Sequence, residues 1–90
     1  MAATLHDPRY RRLVRLLKEA REEAGLTQEA VGKRLKKPQS YLGKVETHQR
    51  RLDALELFDL LDAMELDPGA FAERAAIQIG KRSRSKRTDD

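Results

Sequence analysis

Residues 27–46 read TQEAVGKRLKKPQSYLGKVE, and the parsing of this stretch decides the fold of the whole chain. Thr27 is a natural N-cap, because its hydroxyl can accept from a first-turn N–H, and Glu29 sits where the helix dipole favours an acid. Ala30, Val31 and Leu35 fall at helical spacing and form a short inward face. Lys36-Lys37-Pro38 then breaks the helix, since proline disfavours helical geometry in the residue before it. A second helix is expected from about Pro38 to Thr47, with Leu42 and Val45 as inward anchors. Gln39, Ser40, Gly43 and Lys44 are left outside it, and Tyr41 lies at the edge. A short helix with an apolar back and a polar front, set behind a tight break, has the form of one that reads a DNA groove.

Working outward, the same signals recur on both sides. Asp7-Pro8 pairs an N-cap acceptor with proline at the first helical position. Tyr10, Leu13, Val14, Leu17, Ala20 and Ala24 follow as one apolar stripe, and Gly25 stops the helix in a conformation that needs no Cβ. Asp53-Ala-Leu-Glu56 is a capping-box pattern. The apolar set behind it, Leu55, Leu57, Phe58, Leu60, Leu61 and Met64, is wider than one stripe. Asp67-Pro68 opens a last helix carrying Phe71, Ala72, Ala75 and Ala76. The expectation is an all-α, compact five-helix domain over residues 1–79, with helices near 8–24, 27–35, 38–47, 53–65 and 68–79. Residues 80–90 form a basic tail without apolar side chains, expected to be disordered, whose Arg82, Arg84, Lys86 and Arg87 would add non-specific attraction to phosphate.

Composition narrows the function. Ninety residues make one domain with little room for an enclosed active site. Cysteine is absent, and His6 and His48 are the only histidines and have no ligand partners at metal-binding spacing. No enzyme constellation, cofactor or metal is expected, and no apolar run is long enough to span a membrane. These features fit a cytoplasmic protein. The charge is polarised along the chain. Between Gln28 and Arg51 seven basic residues face two acids, whereas Asp53 to Glu73 holds seven acids and no Lys or Arg. One part attracts a polyanion and the other repels it.

The side chains left outside suit double-stranded DNA. Glutamine can bond adenine bidentately, lysine donates to guanine and serine serves several bases, so Gln39, Ser40 and Lys44 are candidate readers. Tyr41 is a further candidate, against a sugar, a phosphate or a thymine methyl. Gln28 opens the preceding helix, where amide and backbone N–H groups can meet a phosphate. Lys33, Lys37, Arg50 and Arg51 are candidate phosphate contacts.

The segments LKEAREEAGLTQEAVGKRL, PQSYLGKVE and RRLDALELFDLLDAMELDP together resemble the Cro/lambda-repressor-like, or XRE, family of helix-turn-helix regulators, over about two-thirds of the chain. The resemblance rests on Gly25-Leu26-Thr27-Gln28, Leu35, the Leu42/Val45 pair and Glu46. It implies a five-helix lambda-repressor-like DNA-binding domain, dimeric and mostly repressing, with the phosphate-binding glutamine at Gln28 and the readers at Gln39, Ser40 and Lys44. Gly32 stands where that family usually has alanine, and Lys36 and His48 stand where it has glycine, at places that favour positive φ. The surplus apolar residues Leu60, Met64, Phe71 and Ile77 are the candidate contacts of a homodimer on a palindromic operator. An alternative reading is an antitoxin or adaptor module that binds a protein partner through the acidic, apolar 53–71 face.

Overall fold

A computed structural model describes residues 6–80; the basic tail from 81 onward lies outside the described residues. Five helices follow in order: α1 (Pro8–Glu23), α2 (Gln28–Leu35), α3 (Gln39–Glu46), α4 (Ala54–Ala63) and α5 (Pro68–Ile79). Among the described residues no helix is long and apolar enough to cross a membrane.

The starts are set by side chains. Asp7, Thr27, Asp53 and Asp67 each accept a first-turn N–H of the helix they open. At Asp53 the exchange is reciprocal: Glu56 N–H donates to Asp53 and Asp53 N–H donates to Glu56. α3 is the exception, with Pro38 at its N-cap and no side-chain bond.

The ends of α1 to α4 share one geometry. A residue with positive φ follows the helix, and the next N–H reaches the carbonyl five positions back. Leu26 donates to Arg21, Lys37 to Gly32, Gln49 to Lys44 and Leu66 to Leu61, at 2.8 to 3.1 Å. The left-handed residues are Gly25, Lys36, His48 and Glu65, with φ of 74°, 59°, 63° and 59°. Lys36 and His48 therefore adopt the conformation expected at those places despite their side chains. Glu65 carries no sequence signal for it, and α4 stops at Ala63, short of the expected end near 65.

The core is continuous across all five helices. Leu16, Leu17, Val31, Leu42, Val45, Leu60, Leu61, Met64, Phe71 and Ala75 pack together, and Leu42, Leu60, Leu61, Val14, Val31 and Val45 are the most deeply buried. Each of the larger side chains contributes about 1.5–3 kcal/mol relative to exposure. α2 packs on α3 and α4, while α1 lies against α5 and α3. Gly32 permits the closest approach: a Cβ there would stand 3.1 Å from the Lys37 carbonyl oxygen and 3.7 Å from Gln39 Cα. Arginines close the gaps between helices, with Arg12 Nη1 donating to the Ile79 carbonyl at 2.7 Å and Arg34 Nη1 to the Ala63 carbonyl at 2.6 Å.

The burial overturns three of the four expected dimer contacts. Leu60, Met64 and Phe71 are buried within this single chain, where α4 packs against α2 and α5, while the other face of α4 stays in solvent. Of the four, Ile77 alone remains available, at 79% exposed, and the other large exposed apolar side chains among the described residues are Leu55 and Phe58.

The left-handed cap of α4 yields a stability prediction. Glu65→Gly should raise unfolding stability by about 1 kcal/mol, the cost that a Cβ imposes in this conformation. A higher midpoint in urea with an unchanged slope is the expected result; a lower midpoint would show that the ion pair of Glu65 with Arg34 at 3.9 Å outweighs the backbone strain.

Candidate nucleic-acid interface

α3 has only eight residues and cannot persist alone. Tyr41, Leu42 and Val45 bury one side of it, and Gly43 and Glu46 fill its flank toward α2. Ser40 and Lys44, one turn apart, are left on the outward side, and Gln39 is exposed at the leading edge. The structure thus leaves all three sequence-identified readers in solvent.

One flank is locked by a buried charge network. Arg21 donates from Nε to Glu46 Oε2 at 2.7 Å and from Nη2 to Oε1 at 3.1 Å, while its Nη1 donates to the Leu26 carbonyl at 2.8 Å. Both side chains are almost fully buried, at 10% and 5% exposed. Gln28 Nε2 donates to Glu46 Oε1 at 2.8 Å. A carboxylate only accepts, so it orients the Gln28 amide with its NH2 inward and leaves a second amide proton beyond that bond. α1, α2 and α3 therefore meet at Glu46. Gly43 lies in the same seam: a Cβ on it would approach Gln28 Oε1 at 3.6 Å, an ordinary contact, so its missing side chain faces α2.

The other flank corrects two assignments. Tyr41 is not an exposed reader but 8% exposed, with its ring between the Lys37 ammonium at 5.1 Å and the Arg50 guanidinium at 4.8 Å. Burial, and then the charge of Glu56, hold its hydroxyl pKa above the usual value. Arg50 is not a free phosphate contact, because its Nη1 and Nη2 donate to Glu56 Oε1 at 3.1 Å and Oε2 at 2.8 Å. This bond and the Asp53 N–H hold the Glu56 carboxyl at about 2. Lys33, Lys37 and Arg51 remain exposed.

Arg21 was not singled out in the sequence, although a signal exists. It continues the buried stripe of Val14 and Leu17 at helical spacing, a place where a charge needs a partner, and Glu46 is one of two acids between Gln28 and Arg51. In the loop after α3, His48 has a buried Nδ1 with no hydrogen-bond partner. Burial first, then the positive charge of Arg11, holds its pKa below the ordinary value. No group of His, Cys, Asp and Glu among the described residues could hold a metal ion.

Residues 17–71 match the helix-turn-helix family model, which spans both flanks of α3. The chain belongs to the XRE family of helix-turn-helix proteins. An XRE-family like protein from Pseudomonas syringae pv. tomato str. DC3000 is 40% identical, covers 82% of this chain and 90% of its own, and superposes with a TM-score of 0.75. A point mutant of the restriction-modification controller protein C.Esp1396I is 23% identical over 81% of this chain and 97% of its own, with a TM-score of 0.75. The tetramer of that controller in complex with its natural 35 base-pair operator gives 23% identity and a TM-score of 0.74 over 81% of this chain and 96% of its own. At that identity the controller shares the fold. No curated protein matches the sequence. The matched region of this XRE domain holds the whole Arg21–Glu46–Gln28 network, whereas residues 8–16 of α1 and residues 72–79 of α5 fall outside it.

Arg21→Ala should cost about 3–5 kcal/mol, because it strands the Glu46 carboxylate in the core. Urea denaturation followed by circular dichroism measures it; a loss below 1 kcal/mol would show that the pair is not needed to hold α3.

Proposed function

We propose that this chain is a sequence-specific, double-stranded DNA-binding transcriptional regulator, a cytoplasmic repressor that reads the major groove with α3. One observation carries the reading: α3 is tied to the core on its back and both flanks, yet Ser40 and Lys44 stand outward with no side-chain partner among the described residues, and Gln39 is exposed beside them. Gln39, Ser40 and Lys44 meet base edges. Gln28 meets a phosphate with its second amide proton and the first N–H groups of α2, while Lys33, Lys37 and Arg51 contact neighbouring phosphates. The operator-bound state of the C.Esp1396I controller supports the choice of ligand. Asp59 and Asp62, exposed on α4, disfavour a polyanion along that helix.

The operator is a palindrome bound by a homodimer, with Ile77 as an apolar contact and two copies of α3 about 34 Å apart. A second reading has one specific support. Leu55 and Phe58 are exposed on α4 beside Asp59 and Asp62, which suits a basic, apolar protein partner on the 53–71 face.

Selection of bound sequences from a random DNA pool should return a palindrome with half-sites near ten base pairs apart. Lys44→Ala should then weaken the selected site by about 1–3 kcal/mol and random DNA by much less. Equal losses on both would reduce Lys44 to a phosphate contact, and absence of binding at low salt would sink the reading. Ile77→Asp should shift the free protein toward monomer in sedimentation; an unchanged dimer would place the contact elsewhere.

A further inference from the structure

We propose that Arg11, on the first turns of α1, is a DNA phosphate contact contributed from outside the matched helix-turn-helix region. The proposal rests on the DNA-binding reading above and adds a residue from the part of α1 that precedes the matched region.

α1 starts at Pro8, before the matched region begins at residue 17. Its first turns are pinned beside the segment that leaves α3. The Tyr10 hydroxyl accepts from the Leu52 N–H at 3.0 Å, and Tyr10 and Arg51 line one cleft with Leu13, Leu52 and Leu57. The three arginines around this point have separate fates. Arg9 is bound to Asp7, with Nη2 to Oδ2 at 2.6 Å and Nε to Oδ1 at 3.1 Å. Arg12 reaches the Ile79 carbonyl on the opposite side of α1. The Arg11 side chain is exposed and makes no hydrogen bond or ion pair among the described residues.

Arg11 follows Tyr10 directly, so the Tyr10–Leu52 bond sets its backbone beside the segment that leaves α3, and its charge is among the causes that depress the proton affinity of His48. His48 lies in the loop directly after α3, and Arg51 is exposed at the far end of that loop. Arg11, His48 and Arg51 thus border the exit of α3 with positive or protonatable groups drawn from two separate elements. A helix set in the major groove brings the loop that follows it against the sugar-phosphate backbone. A backbone phosphate at this place would supply Arg11 with the charge-assisted bond that the fold does not give it.

The test is a salt titration of binding by the full chain, on the selected site and on random DNA. Arg11→Ala should lower affinity about threefold to tenfold on both, and reduce the slope of log affinity against log salt by about 0.9, the value of one phosphate contact. Arg11→Lys should retain the slope. Arg74→Ala is the charge control, since Arg74 lies on α5 and pairs with Glu23 at 3.5 Å; it should leave the slope unchanged. An unaltered slope for Arg11→Ala, or an equal fall for Arg74→Ala, overturns the proposal while the DNA reading stands. If the wild-type chain binds neither DNA, the DNA reading fails and this proposal with it.

Discussion

The contact between Arg21 and Glu46 is the constraint on which the presentation of α3 depends. Leu42 and Val45 hold α3 against the core, but apolar contact is non-directional and leaves rotation and slide poorly determined. A bidentate guanidinium–carboxylate pair is directional, and here it joins the last turn of α1 to the last residue of α3. Glu46 is also the acceptor for Gln28 at the start of α2, so one carboxylate sets three helices in register. Burying two charges is costly, and the outlay is recovered only because their polar atoms are matched by good bonds.

The opposite flank of α3 uses a different device for the same end. Tyr41 is buried between two cations, and one of them, Arg50, is anchored by the capping-box acid of α4. Glu56 thus caps α4 and fixes the exit of α3. The consequence for charge is direct. Arg50 and Glu56 neutralise each other, so the positive potential along α3 rests on Lys33, Lys37, Lys44 and Arg51, which stay exposed. Asp59 and Asp62 of α4 stay exposed without a basic residue on that helix.

Most of the helical plan was legible because it is local. Asp7-Pro8, Thr27, Asp53 and Asp67-Pro68 each supply a cap within the first turn they serve, and the apolar spacing marks most of the buried faces of α1, α2 and α3, although Ala24 is exposed and Leu16, outside the expected stripe, is buried. Gly25 announces its own left-handed turn. Lys36 and His48 could be suspected only through a family resemblance, and Glu65 not at all, since its conformation is imposed by the packing on either side rather than by its side chain. The outward positions of Gln39, Ser40 and Lys44 were likewise readable, being what remains once Leu42 and Val45 are turned inward.

Local sequence therefore accounts for the five helices, the N-caps of α1, α2, α4 and α5, the separation of basic and acidic segments, and the polar front of α3. Only the tertiary structure decided which charges are available. It consumed Arg21, Arg50, Glu46 and Glu56 in pairs and buried Tyr41 between two cations. It enclosed Leu60, Met64 and Phe71 while leaving Leu55, Phe58 and Ile77 in solvent. The reason is physical: helical spacing fixes which side chains share a face, but whether that face meets water, a counter-charge or another helix depends on contacts between residues far apart in the chain, such as the 25 positions between Arg21 and Glu46.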